Sequence, residues 1–265
     1  MTWIVEITSA SVAALVIVVI TAAVERFGGV VGGVLGTVPH VAVVASVGFI
    51  LQTTRRVDFE IAMLGMPLGM LSNSLLCSIL RLVTSWPRLQ RLLPSRSGLR
   101  MAVAMVIGLS CYAASVALAI LGFKPDTRPL EVVRVVAVCA WLCELLLGLG
   151  LLQLPTSTAT GKRPRSGSAI LAGRGAATFC VFLSAMLLAD SVPALAGIIA
   201  NVPIVSVAVI MILWMSQGED VAMGCLAPMV LGMLSPSAYA MLASQLMLLW
   251  HPAVGAVFRL QLACP

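Results

Sequence analysis

Charged residues are so sparse in this chain that they divide it into eight apolar runs, each long enough to cross a lipid bilayer as a helix. The runs are approximately Ile4–Val24, Gly29–Leu51, Phe59–Val83, Leu99–Phe123, Leu130–Leu154, Ala169–Ala189, Ala194–Ser216 and Val221–Leu249. About 20 helical residues cover the ~30 Å hydrocarbon core. Strands are excluded, because nothing alternates with period two and an open sheet edge in lipid leaves backbone polar groups unpaired. Of 265 residues, 10% are charged and 60% hydrophobic, whereas about a quarter are charged in a soluble domain. The sequence therefore predicts an all-α, polytopic transmembrane helical bundle of about eight helices. Its first partner is the lipid bilayer, and it is expected to be an integral, multi-pass membrane protein.

The net charge of +6 points to topology rather than to nucleic acid, because Lys and Arg fall in the short loops between runs. Five Arg residues lie between Arg81 and Arg100, and the segment 155–168 is polar, basic and rich in helix breakers. An eight-span count places both on one side, which then holds ten Lys and Arg against six opposite. The excess of positive charge marks the cytoplasmic face and puts both termini outside. Residues 1–154 form a first membrane repeat of about five spans, 155–168 a linker, and 169–265 a second, shorter repeat of about three spans. Trp3, Trp86, Trp214 and Trp250 sit at or near span ends, as an interfacial aromatic belt requires. The N-terminus lacks the basic region and small-residue cleavage site of a signal peptide. The seven Cys residues are scattered through apolar runs without metal-ligand spacing, and read as small hydrophobes.

The chain also resembles itself. Gly33-Val-Leu-Gly-Thr-Val-Pro39 in the second run corresponds to Gly197-Ile-Ile-Ala-Asn-Val-Pro203 in the seventh. Leu68-Gly-Met-Leu-Ser-Asn-Ser74 in the third matches Leu231-Gly-Met-Leu-Ser-Pro-Ser237 in the eighth. The offsets are 164 and 163 residues, one register with one residue of slack. Five spans precede the second copy, an odd number, so that copy enters the membrane inverted. Inverted-topology repeats are a common plan of secondary transporters. The second copy lacks counterparts of spans four and five, which fits a truncated half or a partner subunit.

Pro39 and Pro203 each remove a backbone donor and break or kink a helix. Gly/Pro-interrupted spans at matching positions of two halves point to a midplane binding site, and the same glycines serve close helix packing. Thr37 and Asn201 precede the two prolines, while His40 and Ser206 follow within a turn. If the helices unwind there, these groups form a pathway for a small polar solute or ion; otherwise Ser and Thr bond within their own helix. Glu25 and Asp190 end runs just before the duplicated motifs, as pathway groups or as interfacial markers. Glu144, near the centre of the fifth run, stands apart. A carboxyl at the bilayer centre costs at least ~2.5 kcal/mol and normally faces the bundle interior or a wet cavity. There it serves as a proton or cation relay, or as a buried acid held by hydrogen bonds or by Arg134.

The hydrolase, zinc-protease and phosphate-loop motifs are missing, so the reading is not an enzyme, and neither cofactor nor metal site is expected. His40 and His251 are the only histidines. The stretch Ala196-Gly-Ile-Ile-Ala-Asn-Val-Pro-Ile-Val-Ser206 and the apolar run to Gln217-Gly-Glu-Asp220 resemble small bacterial multi-span membrane proteins of the GlpM kind. The resemblance covers about fifty residues per half, here as an internal duplication, and carries over no site residue. Two functions follow from the pattern: movement of a small solute or ion, with proton coupling through Glu144, or a non-transporting subunit or assembly factor of a larger membrane complex. A homodimer would supply the helices that the second half lacks.

Overall fold

The structure, a computed structural model, describes residues 7–16, 18–19, 40–52, 55–86, 97–124, 127–154, 168–189 and 191–263. Every regular element among these described residues is helical. In chain order they are α1 (Ile7–Val16), α2 (His40–Gln52), α3 (Arg56–Ser85), α4 (Ser97–Ala117), α5 (Leu130–Leu152) and α6 (Ser168–Leu188). There follow α7 (Pro193–Ile199), α8 (Ile204–Gln217), α9 (Glu219–Gly224) and α10 (Leu226–Ala263). The last turns of α4 widen into a π-helix, Leu118–Phe123, which closes on Lys124 in the left-handed conformation.

Prolines account for several of these boundaries. Trp86 is extended and ends α3, because the residue before a proline is pushed out of the helical region. Pro129 precedes α5 and Pro193 opens α7, positions where a missing N–H costs nothing. Glu131 in the first turn of α5, and Glu219 and Asp220 in that of α9, place negative charge against the helix dipole.

Four helical stretches are long and apolar enough to cross a membrane, as in a membrane protein: α3, α4 with its π turn to Gly122, α5, and α9 running into α10 as far as Leu246. Their arrangement differs from that of a water-soluble bundle in its apolar periphery and in the polar groups buried among an apolar core. α3 packs against α4, α5, α7 and α10, and 83% of its most apolar stretch is buried, against 17% for α4 and 28% for α5. Yet α3 holds buried Asp58, Glu60, Asn73, Ser74, Ser78 and Arg81. The peripheral helices instead expose Val106, Leu118, Val135 and Leu146. Polar groups inside and apolar groups outside suit lipid as the solvent.

α3 and α10 run antiparallel: Ser74 meets Met233, while Leu64, further back in α3, lies with Met241, further on in α10. Between α3 and α7 the backbones touch. A Cβ built on Gly65 would stand 2.5 Å from the carbonyl oxygen of Ala194, and one on Gly197 would collide with the carbonyl oxygen of Ala62. The packing role read for Gly197 is therefore met by this contact.

Two boundaries and one side-chain placement differ from the sequence reading. The seventh run is two helices, separated at residues 200–203. The eighth run does not end near Leu249, since α10 continues through Pro252 to Ala263. Trp214 is 2% exposed and donates from Nε1 to Ser97 Oγ at 3.3 Å, so it joins α8 to α4 rather than facing an interface. Trp86, at 54% exposure, sits as a belt residue would.

Candidate functional site

The helix break between α7 and α8 follows from the chemistry of Pro203. In a continuous helix the Ile199 carbonyl accepts from the N–H of residue 203, which proline lacks. It accepts from Val202 instead, at 3.0 Å, and α8 restarts with Pro203 as its first flanking residue. Asn201 thus lies in a non-helical step that is nonetheless buried, with 4% exposure. Its Nδ2 donates to the Gly197 carbonyl at 2.9 Å. Ser206, in the first turn of α8, is 7% exposed and accepts from Asn73 Nδ2 of α3 at 3.2 Å. Asn73 Oδ1 and Asn201 Oδ1 are both buried and meet no donor among the described residues.

Glu144 lies on α5 with no exposed surface. The Ser237 hydroxyl of α10 donates to its carboxyl, 2.9 Å from Oε2 and 3.0 Å from Oε1. One turn before Ser237, Met233 accepts from Ser74 Oγ at 3.4 Å, and Ser74 adjoins Asn73 in sequence. Three separate buried contacts thus lie between α5 and the break: Ser237 with Glu144, Ser74 with Met233 and Asn73 with Ser206. One turn before Glu144 on α5, Trp141 Nε1 donates to the Leu234 carbonyl at 3.2 Å, which adds a second polar tie between α5 and α10.

Arg134, read as a partner for Glu144, goes elsewhere. Its Nη2 reaches Glu60 Oε2 at 2.7 Å and its Nη1 reaches Glu131 at 2.7 Å. Glu60 also receives Arg56 Nε at 3.3 Å, so a buried acid at the start of α3 is clamped between two cations. Beyond the other end of α3 lies a cavity of about 400 Å³, lined by Arg81, Thr84, Ser85, Arg100, Glu219 and Asp220. Arg100 and Glu219 pair across it at 3.1 Å, and its two arginines and two acids balance in charge.

Of the residues singled out in the sequence, Asn201, Pro203 and Ser206 come together at the break, and Glu144 lies across α3 and α10 from them. His40 opens α2. Glu25, Thr37, Pro39 and Asp190 lie outside the described residues. Asn73, Ser74 and Ser237 were visible only as letters of the duplicated motif, and Glu60 was not singled out within the third run. Among the described residues no cluster of His, Cys, Asp or Glu is arranged to hold a metal ion. No family model, characterised protein or solved structure matches the chain.

Proposed function

We propose that the chain is a multi-pass bundle of about eight spans that moves a small solute or ion across its membrane, with Glu144 as the proton-carrying group. The observation that carries this reading is the burial of a carboxyl that pairs with no cation among the described residues. Glu144 has no exposed surface, and Ser237 is its hydrogen-bonding partner. An acid so placed is costly to insert, and such acids mark ion and proton pathways. A broken helix with buried amide groups at Asn201 and Asn73 supplies the second part of such a pathway. The duplicated motifs support an inverted-topology repeat. The two copies Leu68–Ser74 and Leu231–Ser237 lie on α3 and α10, which pack together and run antiparallel.

A second reading is favoured by one observation. α10 spans 38 residues, or about 57 Å at 1.5 Å per residue, and outruns a ~30 Å hydrocarbon core. A helix of that length suits a non-transporting subunit that docks into a larger complex or a homodimer.

Water access at position 144 separates the two. In a cysteine-free background, Glu144→Cys is challenged from each side with a membrane-impermeant thiol reagent. Labelling from either side, together with loss of pH-gradient-driven flux in Glu144→Gln proteoliposomes, supports transport. A folded protein that stays unlabelled from both sides sinks it in favour of the subunit.

A further inference from the structure

The geometry points to a binding site for a dehydrated monovalent cation of Na⁺ size at the helix break, held by Asn201 Oδ1, Asn73 Oδ1 and Ser206 Oγ. This deepens the transport reading and rests on it for its purpose, though not for its test.

Two buried amide oxygens without donors are the starting point. An unsatisfied polar atom at this depth costs about 1–3 kcal/mol, and two lie on either side of one interface. The orientation of Asn201 is fixed by its partner. The Gly197 carbonyl can only accept, so Nδ2 must face it and Oδ1 must face away. Gly69 brings α3 against the break, since a Cβ built there would stand 3.2 Å from Asn201 Cβ. Asn73 is one turn further along the same face of α3, and it grips Ser206 just past the break. Asn201 is therefore committed through nitrogen by its partner, and Asn73, which bonds the Ser206 hydroxyl through Nδ2, likewise leaves its Oδ1 without a donor.

That donor set selects its ligand. Two amide oxygens and a hydroxyl that can turn its proton away offer lone pairs, so the set suits a cation or a hydrogen-bond donor rather than an anion. Neutral oxygens are hard ligands that suit alkali and alkaline-earth ions, not zinc or copper. A divalent ion is normally held by carboxylates, and no group of three or more acids, His or Cys among the described residues is placed to hold one. One charge among neutral dipoles at an unwound helix is how membrane carriers hold Na⁺. The alternative occupant is water, which would satisfy the same oxygens.

The test is equilibrium stability of the purified full chain in detergent. Thermal unfolding is followed in the chlorides of Na⁺, K⁺ and choline at one ionic strength. A bound cation raises Tm with a saturating dependence on its concentration, so Na⁺ is expected to stabilise where choline does not. Asn201→Ala and Asn73→Ala should each weaken the apparent Na⁺ affinity by about tenfold or more, the loss of one contact to a charge. Should either fail to fold, Asn73→Asp serves instead, since a carboxylate in the same shell should tighten Na⁺ at least several-fold. Superimposable curves in the three salts mean that water fills the site and overturn the inference. A Na⁺ response that Asn73→Asp leaves unchanged overturns it equally. Transport can fail while Na⁺ binding stands, and pH-driven flux can persist without any Na⁺ effect, so the two readings are separable.

Discussion

A single hydroxyl, that of Ser237, lies within 3.0 Å of both carboxyl oxygens of Glu144. Glu144 and Ser237 have no exposed surface, so this contact joins α5 to α10 where water offers no substitute. Ser237 closes the second copy of the duplicated motif, and its counterpart Ser74, equally buried, turns to Met233 instead.

Removing that hydroxyl should be felt. Ser237→Ala leaves a buried acid without its donor and is expected to lower stability by about 1–3 kcal/mol. Ser235→Ala, on the exposed side of the same turn, should stay within about 0.5 kcal/mol. Denaturant unfolding in detergent compares them, and equal losses would count against the contact.

The clamp on Glu60 predicts an asymmetry. The Glu60 side chain is 4% exposed, whereas Arg134 is 32% exposed and also holds Glu131. Arg134→Ala strands a buried acid with only the longer Arg56 contact and should cost about 3 kcal/mol. Glu60→Gln leaves Arg134 a partner and access to water, and should cost about 1 kcal/mol. The same unfolding measurement decides, and the reverse order would refute the assignment of Glu60 as the desolvated partner.

Backbone contact between α3 and α7 makes Gly197→Ala destabilising by at least about 1–3 kcal/mol, because neither carbonyl nor helix can yield as a side chain does. Gly150, on α5, has nothing within 4 Å of a built Cβ. Gly150→Ala should therefore be neutral or should stabilise by up to about 1 kcal/mol through helix propensity. Thermal unfolding of the pair provides the check.

If α4 spans, its two ends face opposite compartments. Gly98, with open space around it, begins the helix, and Thr127 lies just past its π-helical end. Gly98→Cys and Thr127→Cys in sealed vesicles should be labelled by an impermeant reagent from opposite sides. Labelling of both from one side would remove α4 from the spanning set.

Helix positions were largely legible in the sequence because a charge or a proline stands at most of their ends. The break was legible for the same reason, since Pro203 carries its own cause. What could not be read was pairing between elements. Arg134 has an acid ten residues along its own helix in Glu144, yet it bonds Glu60, and only the packing of α5 on α3 decides that. Trp214 looked interfacial because it lies near a span end, but it is buried in an apolar cluster with Met70, Leu76 and Ala222, and Ser97, far away in the chain, accepts its N–H. The course of α10 misled in another way: the eighth apolar run ends near Leu249, yet the helix continues through Pro252. Asn73 was a shared letter in a repeat until the fold set it beside Ser206.

The contact at Gly65 and Gly197 also limits how the molecule can move. Where carbonyl meets backbone there is no side-chain slack to absorb sliding, so α7 is keyed to α3 and travels with it. The non-helical step at residues 200–203 is the compliant joint that adjoins this pair. A rearrangement that reoriented α8 relative to α3 would find its give at this step, beside Asn201.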